Sequence, residues 1–144
     1  GWDGLYIFDV SNPRAPVQLS HFDTPDWIIG MDVQEDTAVL SLGDSGLMTV
    51  DVSDPARPLA LGVVELPGFS GMLAVSDVWA YGIYWDEENL EHPAGVVSVD
   101  LSDPENPVAG PVFDGLSGGT DIIARGDAVY VSDETQGLLV LKGN

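Results

Sequence analysis

The stretch from Tyr84 to Ala94 gathers Asp86, Glu87, Glu88, Glu91 and His92 beside the aromatic residues Tyr84 and Trp85. Oxygen donors in such number suit Ca²⁺, and carboxylates with an imidazole suit a transition metal. Ca²⁺ is therefore the one cofactor these residues put forward. Against it, the stretch lacks the D-x-[DN]-x-[DN]-G spacing of a calcium loop, and a single His is a thin basis for zinc. The competing reading is a solvated hairpin extension or a contact to a neighbouring subunit. A second group is Asp26, Trp27, Phe69 and Asp121. Asp26 and Asp121 are the carboxylates to consider as acid and base of a glycosidase, with Trp27 as a stacking surface for a sugar. Nucleophilic catalysis has little support: there is no G-x-S-x-G elbow, and two distant His residues make no triad. No catalytic residue is assigned, and a non-enzymatic protein is the expectation.

The surface that carries these residues is strongly acidic. Twenty-four Asp and Glu against four Lys and Arg give a formal charge of −20 over 144 residues. Such a surface repels phosphate backbones and anionic lipid headgroups, so nucleic acid is excluded as a partner. It attracts cations or a basic protein, or simply keeps the chain soluble in a salty medium. With 44% apolar and 19% charged residues, disorder is not expected. The absence of Cys excludes disulfides and thiolate metal sites. No apolar run approaches the ~20 residues of a membrane-spanning helix, so no transmembrane segment is expected. The chain opens Gly1-Trp2-Asp3, and the expectation is that an upstream portion, with any address signal, is not part of this sequence.

The elements that position these residues emerge from an internal repeat. Gly4-Leu-Tyr-Ile-Phe-Asp9-Val-Ser-Asn-Pro13, Gly46-Leu-Met-Thr-Val-Asp51-Val-Ser-Asp-Pro55 and Gly95-Val-Val-Ser-Val-Asp100-Leu-Ser-Asp-Pro104 superimpose, and Gly137-Leu-Leu-Val-Leu141 begins a fourth. The four glycines lie 42, 49 and 42 residues apart. Asp36, Asp77 and Asp127, which follow Asp9, Asp51 and Asp100 by 27, 26 and 27 residues, provide a second anchor. A period in the low forties made of strands and turns predicts four-stranded β-propeller blades. Within one repeat the strands are expected at Ile28–Val33, Thr37–Leu42, Leu47–Val52 and Leu59–Glu65. Their nearly continuous apolar runs suit sheets covered on both faces. Asp9, Asp51 and Asp100, set just before Ser-Asn/Asp-Pro, are expected to make turn hydrogen bonds rather than a ring of catalytic carboxylates.

The phrase D-[VL]-S-[ND]-P-x-x-P with its preceding strand resembles the LVIVD repeat, carried by Leu47-Met-Thr-Val-Asp51-Val-Ser-Asp-Pro55 and its two sisters. That resemblance implies a propeller and an exported or surface protein: extracellular, on the cell surface or periplasmic. It implies scaffold or interaction roles and transfers no catalytic residue.

The reading is then an all-β chain of four-stranded antiparallel propeller blades, about three in number, in one segment spanning 1–144. Its repeats run approximately 4–45, 46–94, 95–136 and, in part, 137–144. Labelled a to d outward from the axis, the strands run c-d, abcd, abcd, abc. An incomplete ring, or part of a larger propeller, follows from the blade count. The expected partners are a protein, the remaining blades of the same propeller, or further copies in an oligomer or larger complex. The loops entering the inner strands, which carry Asp26, Trp27, Phe69 and Asp121, border the axial funnel. They offer a ligand-binding or hydrolytic alternative to a non-enzymatic interaction module, and a self-assembling structural protein is a third reading. The stretch from Tyr84 to Ala94 is the one departure from the period.

Overall fold

The computed structural model describes residues 3–86 and 89–142. Strands β1 (Leu5–Asp9) and β2 (Val17–Phe22) form the first sheet. β3 (Gly30–Gln34), β4 (Thr37–Ser41), β5 (Leu47–Asp51) and β6 (Leu59–Val64) form the second. β7 (Phe69–Ser76), β8 (Trp79–Asp86), β9 (Asn89–Asp100) and β10 (Val108–Asp114) form the third. β11 (Gly119–Arg125), β12 (Ala128–Asp133) and β13 (Gly137–Lys142) form the last. Every pairing is antiparallel between consecutive strands, and no helix occurs among the described residues. Two complete blades are thus flanked by an outer half-blade and by a blade of three strands. This is the c-d, abcd, abcd, abc order the repeat predicts, and the fold is all-β and propeller-like.

The cores lie between blades. Ala38, Leu40, Met48 and Val50 of the second sheet pack toward Leu5 of the first. Val39 and Leu47 point the other way, onto Leu73, Val75, Ala80 and Val99 of the third. Alternate residues of a strand face opposite sides, so a strand sandwiched between blades must be apolar at nearly every position. β4 is buried from Ala38 to Ser41 for that reason. A third cluster, including Ile83, Val96, Ile122, Val129 and Val131, joins the third sheet to the last.

The repeated phrase is a two-step turn. The Asp9, Asp51 and Asp100 carboxylates accept the backbone N–H of Ser11, Ser53 and Ser102, each at 2.8 Å. Asn12, Asp54 and Asp103 then accept the N–H two residues on, from Arg14, Ala56 and Glu105. These bonds stabilise the ionised form and lower all three Asp pKa values; the Ser11 N–H leads for Asp9, and the Ser53 and Ser102 hydroxyls lead for Asp51 and Asp100. The corner so formed leans on the preceding blade. Ser20 Oγ donates to the Pro55 carbonyl at 2.7 Å, and Thr49 Oγ1 to that of Pro104 at 2.6 Å. The opening glycines serve close approach: a Cβ on Gly4, Gly46 or Gly95 would sit 2.1–2.2 Å from the carbonyl oxygen of Phe22, Val64 or Phe113 on the adjoining outer strand.

The second anchor needs one correction. The hairpins between β3 and β4, β7 and β8, and β11 and β12 each turn in two residues, since Gln34 pairs with Thr37, Ser76 with Trp79 and Arg125 with Ala128. Their first central residues, Glu35, Asp77 and Gly126, share a positive φ of 52°, 51° and 58°. Asp77 is therefore the counterpart of Glu35 and Gly126, and Val78 stands where the other blades have Asp36 and Asp127. The spacing of 26 among spacings of 27 reflects that one-place offset.

Candidate functional site

An up-and-down blade puts its b–c hairpin and its exit to the next blade at one end, and its other turns at the opposite end. Contacts between blades show that the sheets share this orientation. Ser70, at the start of β7, receives a hydrogen bond from Ser41 at 2.8 Å and bonds the Gly43 and Gly46 carbonyls of the β4–β5 loop. At the other end, Asp32 accepts the Val75 N–H across blades at 2.8 Å, and Ser76 reaches the Gly126 carbonyl. The loops entering β3, β7 and β11 and the loops between β4 and β5, β8 and β9, and β12 and β13 are therefore neighbours.

Both ends are acidic, but the cations are confined to one of them. All four cationic residues lie at the end away from these loops: Arg14 and Arg57 in the Pro corners, Arg125 closing β11 and Lys142 closing β13. Arg57 is held by Asp54 at 2.9 Å. The loop end carries Asp23, Asp26, Asp44, Glu65, Asp86, Asp114, Asp133 and Glu134, with no Lys or Arg among them. His21, near that end, stacks on Tyr6 and contacts the Asp3 carbonyl.

The residues proposed for an axial funnel are distributed along this end. Asp26 accepts the Trp27 N–H at 2.7 Å and the Ser45 hydroxyl at 3.1 Å. Trp27 is 42% exposed. Asp121 is exposed and accepts the N–H of Ile122 at 2.9 Å. Asp26 lies in the loop entering β3 and Asp121 within β11, inner strands that both contact β7, and each is engaged locally. Phe69 lies between two neighbours: a Cβ on Gly43 would sit 3.0 Å from its ring, and the ring meets Trp85 at a centroid distance of 6.3 Å and an angle of 79°.

That contact joins the funnel loop to the acidic insertion. The insertion extends the β8–β9 hairpin, with Trp85 opposite Pro93 and Asp86 opposite Asn89. Asp86 ends β8 and is exposed. Glu87, Glu88 and the side chains of Glu91 and His92 lie outside the described residues. Among the described residues, no group of three or more His, Asp or Glu is placed to hold a metal ion.

Three residues that the repeat did not single out hold this end together. A Cβ on Gly71 would lie 2.1 Å from the Trp85 ring, and one on Gly68 would lie 2.0 Å from the Trp85 carbonyl oxygen. Trp85 is thus seated on glycines, and the glycines around Phe69 were the available signal. Tyr84 donates to Asp114 at 2.6 Å; burial first, then that bond, pushes its phenol up to about 12. Asp133, buried between β12 and β13, accepts backbone N–H groups from Ser117, Gly118, Thr135 and Gln136 at 2.8–3.0 Å. Those bonds, led by Ser117, hold its carboxyl at about 2. An Asp followed two residues on by Thr at a hairpin is the local trace of this turn.

Residues 1–24 and 32–65 match the family described as the LVIVD repeat. Those two segments carry LVIVD repeats. They fall on the first half-blade and on the second sheet with its Pro corner, where the hydrogen bonds just described recur. No curated protein sequence matches the chain significantly. Among solved structures, the computationally designed Ika4 protein is 12% identical over 87% of this chain and 96% of its own, with a TM-score of 0.47. A chain of the Nidogen/Laminin complex is 11% identical over 91% of this chain and 81% of its own, with a TM-score of 0.34. In the LVIVD repeats the shared residues build corners and blade junctions, while the residues facing solvent at the loop end differ from blade to blade.

Proposed function

We propose that this chain is a non-enzymatic, exported or cell-surface propeller module that binds a basic protein partner through its acidic loop end. The observation that carries the reading is the placement of the cations: all four Lys and Arg sit among the carboxylates of one end, and the other end presents carboxylates with no Lys or Arg to offset them. A one-signed end focuses potential and steers an oppositely charged partner, raising its association rate more than its intrinsic affinity. The carboxylates considered for catalysis are engaged by neighbouring backbone N–H and hydroxyl groups, which suits a rigid docking surface.

The test compares two variants of equal net charge. One neutralises Asp23, Asp44, Glu65 and Glu134 to their amides; the other neutralises Glu35, Asp36, Glu105 and Asp127 at the far end. All eight are exposed. Binding to an immobilised lysine-rich peptide at about 0.1 M salt should fall on the order of tenfold for the first variant and change little for the second. Equal losses would reduce the effect to net charge and defeat the reading.

A further inference from the structure

Between the two complete blades, at the end away from the acidic loops, the β3–β4 and β7–β8 hairpins border a cleft of roughly 190 Å³. Both walls belong to four-stranded sheets. The floor is apolar: Val39, Val75 and Leu101 line it and are at most 9% exposed. The rim carries the exposed carboxylates Glu35 and Asp77, and no Lys or Arg lines the cleft among the described residues. This junction differs from the next one in two ways. Glu35 and Asp77 hold the first central position of their hairpins at φ of 52° and 51°, where the last blade has Gly126. A side chain at positive φ costs backbone energy that glycine avoids, so both carboxylates stand there against local preference. Thr37 lines the cleft with a short side chain at the register position where the third sheet has the bulky Trp79. Among the described residues, no side-chain hydrogen bond engages Glu35, Thr37 or Asp77, unlike Asp26 and Asp121 at the loop end.

We infer that this cleft binds a small free amine, whose ammonium group lies between Glu35 and Asp77 while its compact apolar body covers Val39, Val75 and Leu101. Charge and volume select the class. Two carboxylates with no cation beside them favour a positive head. The apolar floor favours a hydrocarbon body over water. A volume below the ~300–1,000 Å³ of sites for drug-sized ligands limits that body to a single ring or a short branched chain. A bare metal ion gains nothing from the apolar floor, and among the described residues no group of three or more His, Asp or Glu is placed to hold one. The cleft lies apart from the acidic loop end and does not rest on the partner proposed for it.

The experiment titrates the full chain with phenethylammonium at about 0.1 M salt and follows the Val and Leu methyl signals by NMR. Phenethyl alcohol supplies the shape without the charge, and methylammonium the charge without the body. The expected result is saturable shifts of the Val39, Val75 and Leu101 methyls, with either comparison ligand weaker by about tenfold. Glu35→Gln combined with Asp77→Asn changes two exposed side chains, so the fold survives. It should weaken the amine roughly tenfold, the joint effect of two exposed ion pairs. Thr37→Phe should fill the cleft and abolish the shifts. Neutralising Asp23, Asp44, Glu65 and Glu134 should change the amine's affinity by less than about twofold, because salt screens charges a strand's length away. Equal binding of phenethyl alcohol, shifts confined to other residues, or unchanged affinity in the double variant would overturn the inference. So would displacement of the amine by the lysine-rich peptide, which would make the cleft part of a peptide site.

Discussion

Thr49 offers the sharpest test of how one blade is fastened to the next. Its hydroxyl lies in the fully buried centre of β5, accepts the Gly62 N–H at 3.0 Å, and donates to the Pro104 carbonyl of the following blade at 2.6 Å. Thr49→Val keeps the shape and removes the oxygen. It leaves one donor and one acceptor without partners in a half-buried seam, at about 1–3 kcal/mol for each such group when fully buried. Partial access to water trims the total to about 2–3 kcal/mol, or a fall in Tm of roughly 6–10 °C for a domain of this size. Thr49→Ser keeps the hydroxyl and loses a methyl group, costing about 0.8 kcal/mol; the third sheet already has Ser98 at the equivalent place. Urea unfolding followed by circular dichroism gives both numbers, and an unchanged m-value indicates that the same surface is exposed. If Thr49→Val proves as stable as Thr49→Ser, the hydroxyl is not a fastening and the account of the Pro corner fails.

Other consequences follow from the same geometry. Ser70→Ala removes the hub of a fully buried hydroxyl pair and two carbonyl contacts, and thermal unfolding should show a loss of about 1–3 kcal/mol. Glu35 holds a φ of 52° at the first central position of its hairpin, where glycine is at home; Glu35→Gly should therefore raise stability by about 0.5–1 kcal/mol in the same assay. Asp133 is held at about 2, below the ordinary carboxylate value of 3.8. A depressed folded pKa contributes stability that is present above the unfolded value and lost as pH falls through the folded one. The Tm should thus drop between pH about 4 and about 2, and Asp133→Asn should be less stable at neutral pH yet flatter across that window. Identical pH profiles for the two proteins would remove Asp133 from the cause of acid unfolding.

Much of the fold was legible because its determinants are local. The Asp-x-Ser-Asn/Asp-Pro corner is closed by hydrogen bonds spanning two residues, and the apolar runs report strands covered on both faces. The acidic insertion was legible as a break in period, and it does extend one hairpin. The match of Asp77 to Asp36 and Asp127 was misleading because similar residues occupy different turn positions; only backbone φ distinguishes them. Phe69 was placed near a funnel on its position in the loop, and its partner Trp85 was not foreseen, because that contact crosses from a loop to an extended hairpin. That Asp26 and Asp121 each accept a neighbouring backbone N–H was not legible, because composition does not show which local groups a carboxylate meets.

By itself, the sequence determined the repeat, the strand order and the corner chemistry, since each depends on residues a few positions apart. Tertiary structure decided the rest. It set Thr49 against Pro104 and Ser41 against Ser70, gathered four backbone N–H groups on Asp133, and sent every Lys and Arg to one end. Those outcomes depend on how blades stack and which way their strands run. Stacking joins residues tens of positions apart, so no local pattern in the chain can encode them singly.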